Sequence, residues 1–429
     1  GAFFVPRKDA RLRLIWDTRE SNKWFNSPPH TLLASAEGLA NLEVDIGDSS
    51  KVICPAGDVE VCFYQFLLPE YLRKFFCLPP IRPQFLDADV RKQLGLSARG
   101  PAIRFAARVL PMGWSWSVYI VQAIHQHILT PVIGSGSWVL DKVPIGVVTS
   151  DHMAHVLYID NFATIGGVNS YPEKSVDRMI SALAAKGIVA ERDPYEEDAQ
   201  ELLGFRLCSR SSCWSLSAKK FYWLHDALTF MLTPSMAISG KEVERLLGQV
   251  VAAAMVRGEF LCLIVSGYRY ARELGKRRMP LWPSVRRELR SILSLLPVLR
   301  ADMSQKWGEN VVAYDACPYG FGVTEASVDP QLVGETGRLV ERARFRGVLA
   351  RDSAPRTCLE PEAVTEPLEG DIKQMSTTDT ISLGFKNGFS EVPVSLLSGS
   401  EWRVAVAKPF RGRAAIHLVE GQACSFAAR

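Results

Sequence analysis

The sequence predicts an α+β protein. Three observations carry that reading: short β-like runs mix with helical stretches through residues 1–207, residues 218–300 are mainly helical, and a new β-like run opens at Asn310–Tyr314. A length of 429 residues fits about three domains at roughly 150 residues each. Apolar residues make up 47% and charged residues 22%, which excludes a disordered tail, a collagen-like fibre and a disulfide miniprotein. No repeat of 20 to 50 residues is visible, so a solenoid or propeller is excluded as well.

Each element follows in chain order. His155–Gly167, HVLYIDNFATIGG, holds two apolar runs separated only by Asp160-Asn161, which tolerate the left-handed backbone of a tight turn. A β-hairpin with an exposed carboxylate at its tip is expected. In Gly240–Val256, Val243, Leu246, Leu247, Val250 and Val251 recur at helical spacing. Basic residues then thicken at Lys276, Arg277, Arg278, Arg286, Arg287 and Arg290, either a solvated face or a track for phosphates. Residues 325–395 lack periodicity and read as a long insertion. Trp402–Ala407 and Ala414–Arg429 read as a strand or two and the start of a helix.

Fifty Lys and Arg against 46 Asp and Glu leave a formal charge of only +4, so a nucleic-acid ligand needs locally clustered positive charge. Nine scattered cysteines, with no C-x-x-C pair, argue against a zinc framework and fit a reducing, intracellular compartment (cytoplasm or nucleus). Cys208 and Cys213 flank a turn and read as unpaired thiols. No apolar stretch approaches the ~20 residues that span a bilayer, so no membrane partner is expected. The start at Gly1 suggests a fragment of a longer chain. His125 and His127 lie two apart on a helical stretch, point to different faces and suit no shared metal.

Two further segments bear on the carboxylate at the hairpin. In Gly57–Leu67, GDVEVCFYQFL, Asp58 opens an apolar and aromatic run; in Leu110–Gln122, LPMGWSWSVYIVQ, Gly113 and serines open a helix. In order and spacing, the three segments resemble motifs A, B and C of retroelement reverse transcriptases. Asp58, Cys62, Phe63 and Gln65 fall on D-x-x-x-A-F-x-Q. Leu110, Pro111, Gly113 and Ser115 fall on L-P-x-G-x-S-x-x-P, with Val118 where Pro is usual. Tyr158 and Asp160 fall on Y-x-D-D, with Asn161 in the last place. Upstream, Lys8, Asp9, Arg13, Asp17, Arg19 and Asn22 match the fingers strands of these enzymes. Downstream, Leu202–Leu207 resembles the strand that closes the palm, and Ala313–Gly322 resembles the first strands of a ribonuclease H domain.

The resemblance implies a right-hand polymerase followed by a truncated ribonuclease H-like domain. Fingers and palm would take residues 1–207, a helical thumb and connection 208–308, and the ribonuclease H-like part, with its insertion, 309–429. It implies RNA-directed DNA synthesis within a retroelement polyprotein, on an RNA or DNA template with a primer, from deoxynucleoside triphosphates. Asp58 and Asp160, with Asn161 as auxiliary ligand, would hold Mg²⁺, or Mn²⁺ in its place. Lys8 and Arg13 would neutralise the triphosphate, Phe63 would exclude a 2′-hydroxyl, and Gly113 would let nucleotide or template approach the backbone. Asp315 and Glu420 would be the surviving ribonuclease H-like ligands, with Glu360 as an alternative to Glu420, too few for nuclease activity. Two other readings stand beside this one: a degenerate copy that binds nucleic acid without polymerising, and an RNA-dependent RNA polymerase. The neutral Asn161 favours the first, and Phe63 disfavours the second.

Overall fold

The computed structural model describes residues 1–6, 12–47, 51–134, 138–141, 143, 146–194, 200–234, 236–317, 319–338, 345–348, 382–385, 393, 396, 402–410 and 416–428. Lys8, Glu360 and most of the expected insertion lie outside them. The chain divides into two compact units. The first comprises Gly1–Asp141, Ile145–Met303 and Gly347–Leu383; the second comprises Lys142–Pro144, Ser304–Arg346 and Gly384–Arg429.

The first unit is organised by an antiparallel sheet whose middle strand is Asn161–Gly167. Ala154–Tyr158 pairs along one edge of it, and Ala56–Val59 and Val52–Ile53 pair in succession along the other. Ala190–Arg192 adds a strand outside Ala56–Val59. Phe162–Gly167 is buried at every position, so the middle strand is covered on both faces, which explains why FATIGG reads as a continuous apolar run rather than an alternating one. On one face, Val59, Leu157 and Phe162 pack with Val121 and Leu129 from helix Ser115–Ile133 and with Val176, Met179 and Leu183 from helix Pro172–Ala184. Val176, Met179 and Leu183 repeat at the spacing of one helical stripe.

On the other face, Ala56, Val156, Ala163 and Ile165 join an apolar cluster that runs on into residues 202–303. That region holds a second antiparallel sheet, Glu201–Leu202, Phe205–Cys208, Cys213–Leu216 and Arg300–Asp302. Helices Ala218–Met231, Gly240–Ala254, Val265–Leu274 and Pro283–Leu295 enclose its core around the fully buried Trp214 and Tyr270. The helix expected over Gly240–Val256 is present as Gly240–Ala254, with Val243, Leu246, Leu247 and Val250 buried. A reciprocal cap fixes its start: Glu242 N donates to Ser239 Oγ at 3.2 Å, and Ser239 N donates to Glu242 Oε2 at 2.8 Å.

The second unit is a three-stranded antiparallel sheet, Asn310–Cys317, Gly320–Ser327 and Arg403–Pro409, with helix Ile416–Ala427 against it. The expected insertion starts later than residue 325. Strand Gly320–Ser327 and helix Pro330–Gly337 occupy its first part, the helix opened by Asp329, whose carboxylate accepts from Gln331 N, and by Pro330 in the first turn.

Candidate active site

Strand pairing sets Asp58 opposite Asn161 on one side and opposite Glu191 on the other. Directly opposed residues share a face, so Tyr158, Asn161, Asp58 and Glu191 form one row across four strands. Val59 N donates to Asp160 O at 2.8 Å, tying the turn to the Asp58 strand. The residue before Asp58 must be small: a Cβ on Gly57 would lie 2.5 Å from Phe162 Cζ and 2.8 Å from Glu191 O.

The hairpin forms as expected, but its turn sits one residue earlier. Ile159 and Asp160 make the turn, and Asn161 already pairs with Tyr158 as the first strand residue. Ile159 takes the left-handed conformation, φ 58°, which a β-branched side chain disfavours. Tertiary hydrogen bonds from helix Ser115–Ile133 hold it there. Ile159 N donates to Gln122 Oε1 at 2.9 Å, Gln122 Nε2 donates to Leu157 O at 3.1 Å, and His125 Nδ1 lies 2.8 Å from Ile159 O. Burial lowers the His125 pKa, so the ring is neutral at pH 7 and donates its Nδ1 proton to that carbonyl. His127 is exposed on another face, as its spacing implied. A second β-branched residue at positive φ, Val61 at 40°, precedes the 3₁₀ turn Cys62–Gln65 that carries Phe63. Both strained residues flank the Asp58–Asp160 pair, a distribution typical of functional sites.

Burial, and then the nearby carboxylates of Asp160, Asp193 and Glu191, push the Asp58 pKa up to about 6, with Arg13 opposing them. Two carboxylates crowded in a half-buried site, their charge only partly offset by Arg13, are the donor chemistry Mg²⁺ accepts. Asn161 Nδ2 donates to Asp160 Oδ1 at 2.9 Å, which leaves the Asn161 amide oxygen as its remaining donor atom. Among the described residues no group of three His, Cys, Asp or Glu is arranged to hold a metal. The pair therefore needs ligands from water and substrate to complete a shell.

This electrostatic state has a signed consequence. Asp58 is an acid whose folded pKa exceeds its unfolded value of about 3.9, so the stability it contributes is present below pH 4 and lost as pH rises through about 6. Asp58→Asn should raise the Tm of the metal-free protein above pH 6 and leave it unchanged near pH 4. Solvent screening at this half-exposed group limits the gain to about 1 kcal/mol. Thermal melts at both pH values check it; a gain at pH 4 equal to that at pH 7 would contradict the assignment.

The residues expected on the nucleotide side are only partly gathered. Lys8 lies outside the described residues. Arg13, exposed on strand Leu12–Trp16, acts electrostatically on both Asp58 and Tyr64, and the Tyr64 hydroxyl donates to Leu14 O. Phe63 is half-buried against the cluster that contains Val59 and Phe162. Gly113 is exposed at φ 108°, and a Cβ there would meet Thr18 Oγ1 at 3.1 Å and Trp16 O at 3.2 Å. Asn22 bridges this bend, donating to Gly113 O at 3.1 Å and accepting from Ser115 N at 3.0 Å. Trp114 packs edge-on against Phe25 and Phe76 at 5.2 Å and is core, not a base platform.

The six basic residues are not equivalent. Arg278 is ion-paired with Glu242, and Arg286 donates to Leu232 O at 3.1 Å, so both have structural partners. Lys276, Arg277, Arg287 and Arg290 are exposed, the last two sharing a face of helix Pro283–Leu295. In the second unit, Tyr314 interacts with Cys424 and Glu420 of helix Ile416–Ala427, and its face includes Ala316, Phe321 and Val323. Asp315, next along the strand, points to the opposite face. The expectation that Asp315 and Glu420 share a site is corrected by this alternation: the sheet lies between them.

Four residues escaped the sequence. Gln122 and His125 act on a backbone 34 to 37 residues away, and only their polarity inside an apolar helix hinted at a task. Asp193 and Glu191 reach Asp58 through a strand too short to show a pattern.

No protein-family model matches the sequence, and no curated protein matches it significantly. Among solved structures, the chain is similar to a foamy viral protease-reverse transcriptase, dRH form, in complex with double-stranded DNA: 15% identity, TM-score 0.49, covering 76% of this chain and 48% of that one. The foamy viral protease-reverse transcriptase with double-stranded DNA gives 15% identity, TM-score 0.48 and coverage of 76% and 58%. Its RNA/DNA hybrid complex gives 14%, 0.47, 76% and 37%. This chain thus spans between about a third and three fifths of those chains.

Proposed function

We propose that the chain is a template-directed nucleic-acid polymerase, specifically an RNA-directed DNA polymerase from a retroelement polyprotein. The observation that carries the reading is the meeting of Asp58 and Asp160: 102 positions apart, Asp58 lies on the strand paired with the hairpin whose turn holds Asp160, close enough for the Asp160 charge to act on it. The motif order around them supports it. On this reading residues 1–207 serve as fingers and palm and 208–308 as thumb and connection; no nuclease role is assigned to the second unit.

Mg²⁺ held by Asp58 and Asp160, with the Asn161 amide oxygen as auxiliary, would supply activation of the primer 3′-hydroxyl and charge compensation at the triphosphate. Arg13, with Lys8, binds the phosphates from the other side. The Phe63 ring lies under the incoming sugar and excludes a 2′-hydroxyl, which selects deoxynucleotides. The Gly113 bend leaves room for the nucleobase and template to approach the backbone. Gln122 and His125 touch no substrate; they hold the turn that presents Asp160.

Primer extension on an RNA template with Mg²⁺ or Mn²⁺ tests the assignment. Absence of extension by a folded chain that binds primer–template would instead establish the non-catalytic binder, the reading favoured by the neutral Asn161. Asn161→Asp separates decay from adaptation. We expect a change of less than about 10-fold, because Asn161 is engaged with Asp160 and serves as it stands. A gain of about 100-fold or more would mark a decayed site.

Template binding on this reading uses the exposed Lys276, Arg277, Arg287 and Arg290 rather than all six basic residues, and Arg277, Arg287 and Arg290 are the three chosen for the test. Neutralising these three should shallow the log-affinity against log-salt slope by about 2 to 3 units, at 0.7 to 0.9 per phosphate contact, without altering sequence preference. An unchanged slope would make the cluster a solvated face.

A further inference from the structure

Cys208 and Cys213 close the hairpin formed by strands Phe205–Cys208 and Cys213–Leu216, and they are direct cross-strand partners. Opposed residues of an antiparallel pair have Cα atoms about 4.5 or 5.5 Å apart, depending on their hydrogen bonding. Both values fall in the range a disulfide spans, about 4.4–6.8 Å. Opposed side chains also share a face, so both sulfurs stand on the same side of the hairpin. The other face of this hairpin is fixed in the core by Leu207 and Trp214, both fully buried, so the register cannot slip and separate the pair.

The two thiols are chemically unequal. Cys208 is half-exposed, and its pKa is lowered by the Ser211 hydroxyl, by the Ser211 and Arg210 backbone N–H groups and by the Arg206 charge. Cys213 is 7% exposed, and its pKa is raised by burial and by Asp302, its partner on the next strand. Cys208 is the more accessible and the more readily deprotonated of the two, and Cys213 is a buried thiol beside it. These are the properties of an attacking and a resolving cysteine.

We propose that Cys208 and Cys213 form a thiol–disulfide exchange site that reacts with small-molecule disulfides and closes into a cross-strand disulfide. The Cys208 thiolate attacks one sulfur of R–S–S–R, forming Cys208–S–S–R and expelling RS⁻, which takes up a proton. Cys213 then gives its proton to solvent, attacks Cys208 Sγ and expels the second RS⁻. The chain loses two protons and two electrons, and the disulfide is reduced to two RSH. This chemistry uses no part of the Asp58 site and stands whether or not the polymerase reading does.

The test is incubation of the reduced full chain with oxidised glutathione, followed by peptide mapping in a mass spectrometer. Mapping separates the hairpin from adducts at the exposed Cys262, Cys317 and Cys424. We expect a Cys208–Cys213 crosslink with no glutathione retained on either residue. Cys213→Ser should trap a mixed disulfide on Cys208, and in Cys208→Ser the reaction at Cys213 should be at least about 10-fold slower. A wild-type chain that keeps glutathione on Cys208 without a crosslink would overturn the proposal. Equal adduct rates at the remaining cysteine in the two variants would overturn the division of roles.

Discussion

On the proposed polymerase reading, primer extension by Asp58→Ala should fall by roughly 10³-fold or more relative to the parent chain, with primer–template affinity nearly unchanged. Asp58 is where three contributions meet. It stands opposite Asn161 on the middle strand, its neighbour Val59 is bonded to the Asp160 backbone, and burial, then the Asp160 charge, raises its pKa to about 6. Removing it leaves Asp160 as the remaining proposed carboxylate ligand, a much weaker divalent-cation site. The same substitution relieves like-charge crowding, so the metal-free variant should melt no lower than the parent above pH 6. Lost activity with unimpaired stability distinguishes a reacting residue from a packing one. A variant that extends primers as well as the parent would remove the metal assignment.

Gln122→Leu carries the second large effect. Its side chain is 2% exposed and meets two backbone groups at once, the Ile159 N–H and the Leu157 carbonyl. Leucine is close in volume but offers neither donor nor acceptor, so both groups lose their partner. At about 1–3 kcal/mol for each buried group left unsatisfied, the variant should lose about 2–6 kcal/mol, read as a lower urea midpoint at constant m. Ile159 also loses part of what holds it in the left-handed region, and Asp160 moves with it. In the polymerase reading, kcat should therefore drop while KM for nucleotide holds, the mark of a positioning residue. A loss below 0.5 kcal/mol, on the order of an ordinary surface substitution, would show that water replaces the amide and that the clamp is not structural.

The parts of this fold that were legible in the sequence are those governed by local chemistry. The helix Gly240–Ala254 announced itself through its apolar stripe, and the HVLYIDNFATIGG hairpin through two apolar runs about a polar pair. The Asp58–Asp160 juxtaposition came only from the resemblance of three segments to reverse-transcriptase motifs A, B and C, because no local pattern tells which strands will pair. The one-residue shift of the turn shows the limit. Asp-Asn is the better turn dipeptide by intrinsic preference, yet Gln122 and His125, on a distant helix, place Ile159-Asp160 there instead. Side-chain alternation likewise decided the fate of Asp315 and Glu420. Either residue can be picked out by type, but only strand register tells which face each one occupies. Arg278 and Arg286 were lost from the basic track for a similar reason, since their partners Glu242 and Leu232 are 36 and 54 positions away.

The contact between Gly57 and Phe162 restricts how this site can change over generations of mutation. With the ring edge lying where a Cβ would stand, neither position can be varied independently. A methyl group at 57 forces Phe162 out of a fully packed layer, while a smaller side chain at 162 opens a cavity beneath the Asp58 strand. A smaller residue at 162 does not open the way for a larger one at 57, because the Glu191 carbonyl oxygen of the next strand also lies 2.8 Å from that Cβ. Lineages sharing this site should therefore keep the glycine, held by backbone on one side and by the ring on the other, even where overall sequence similarity has decayed.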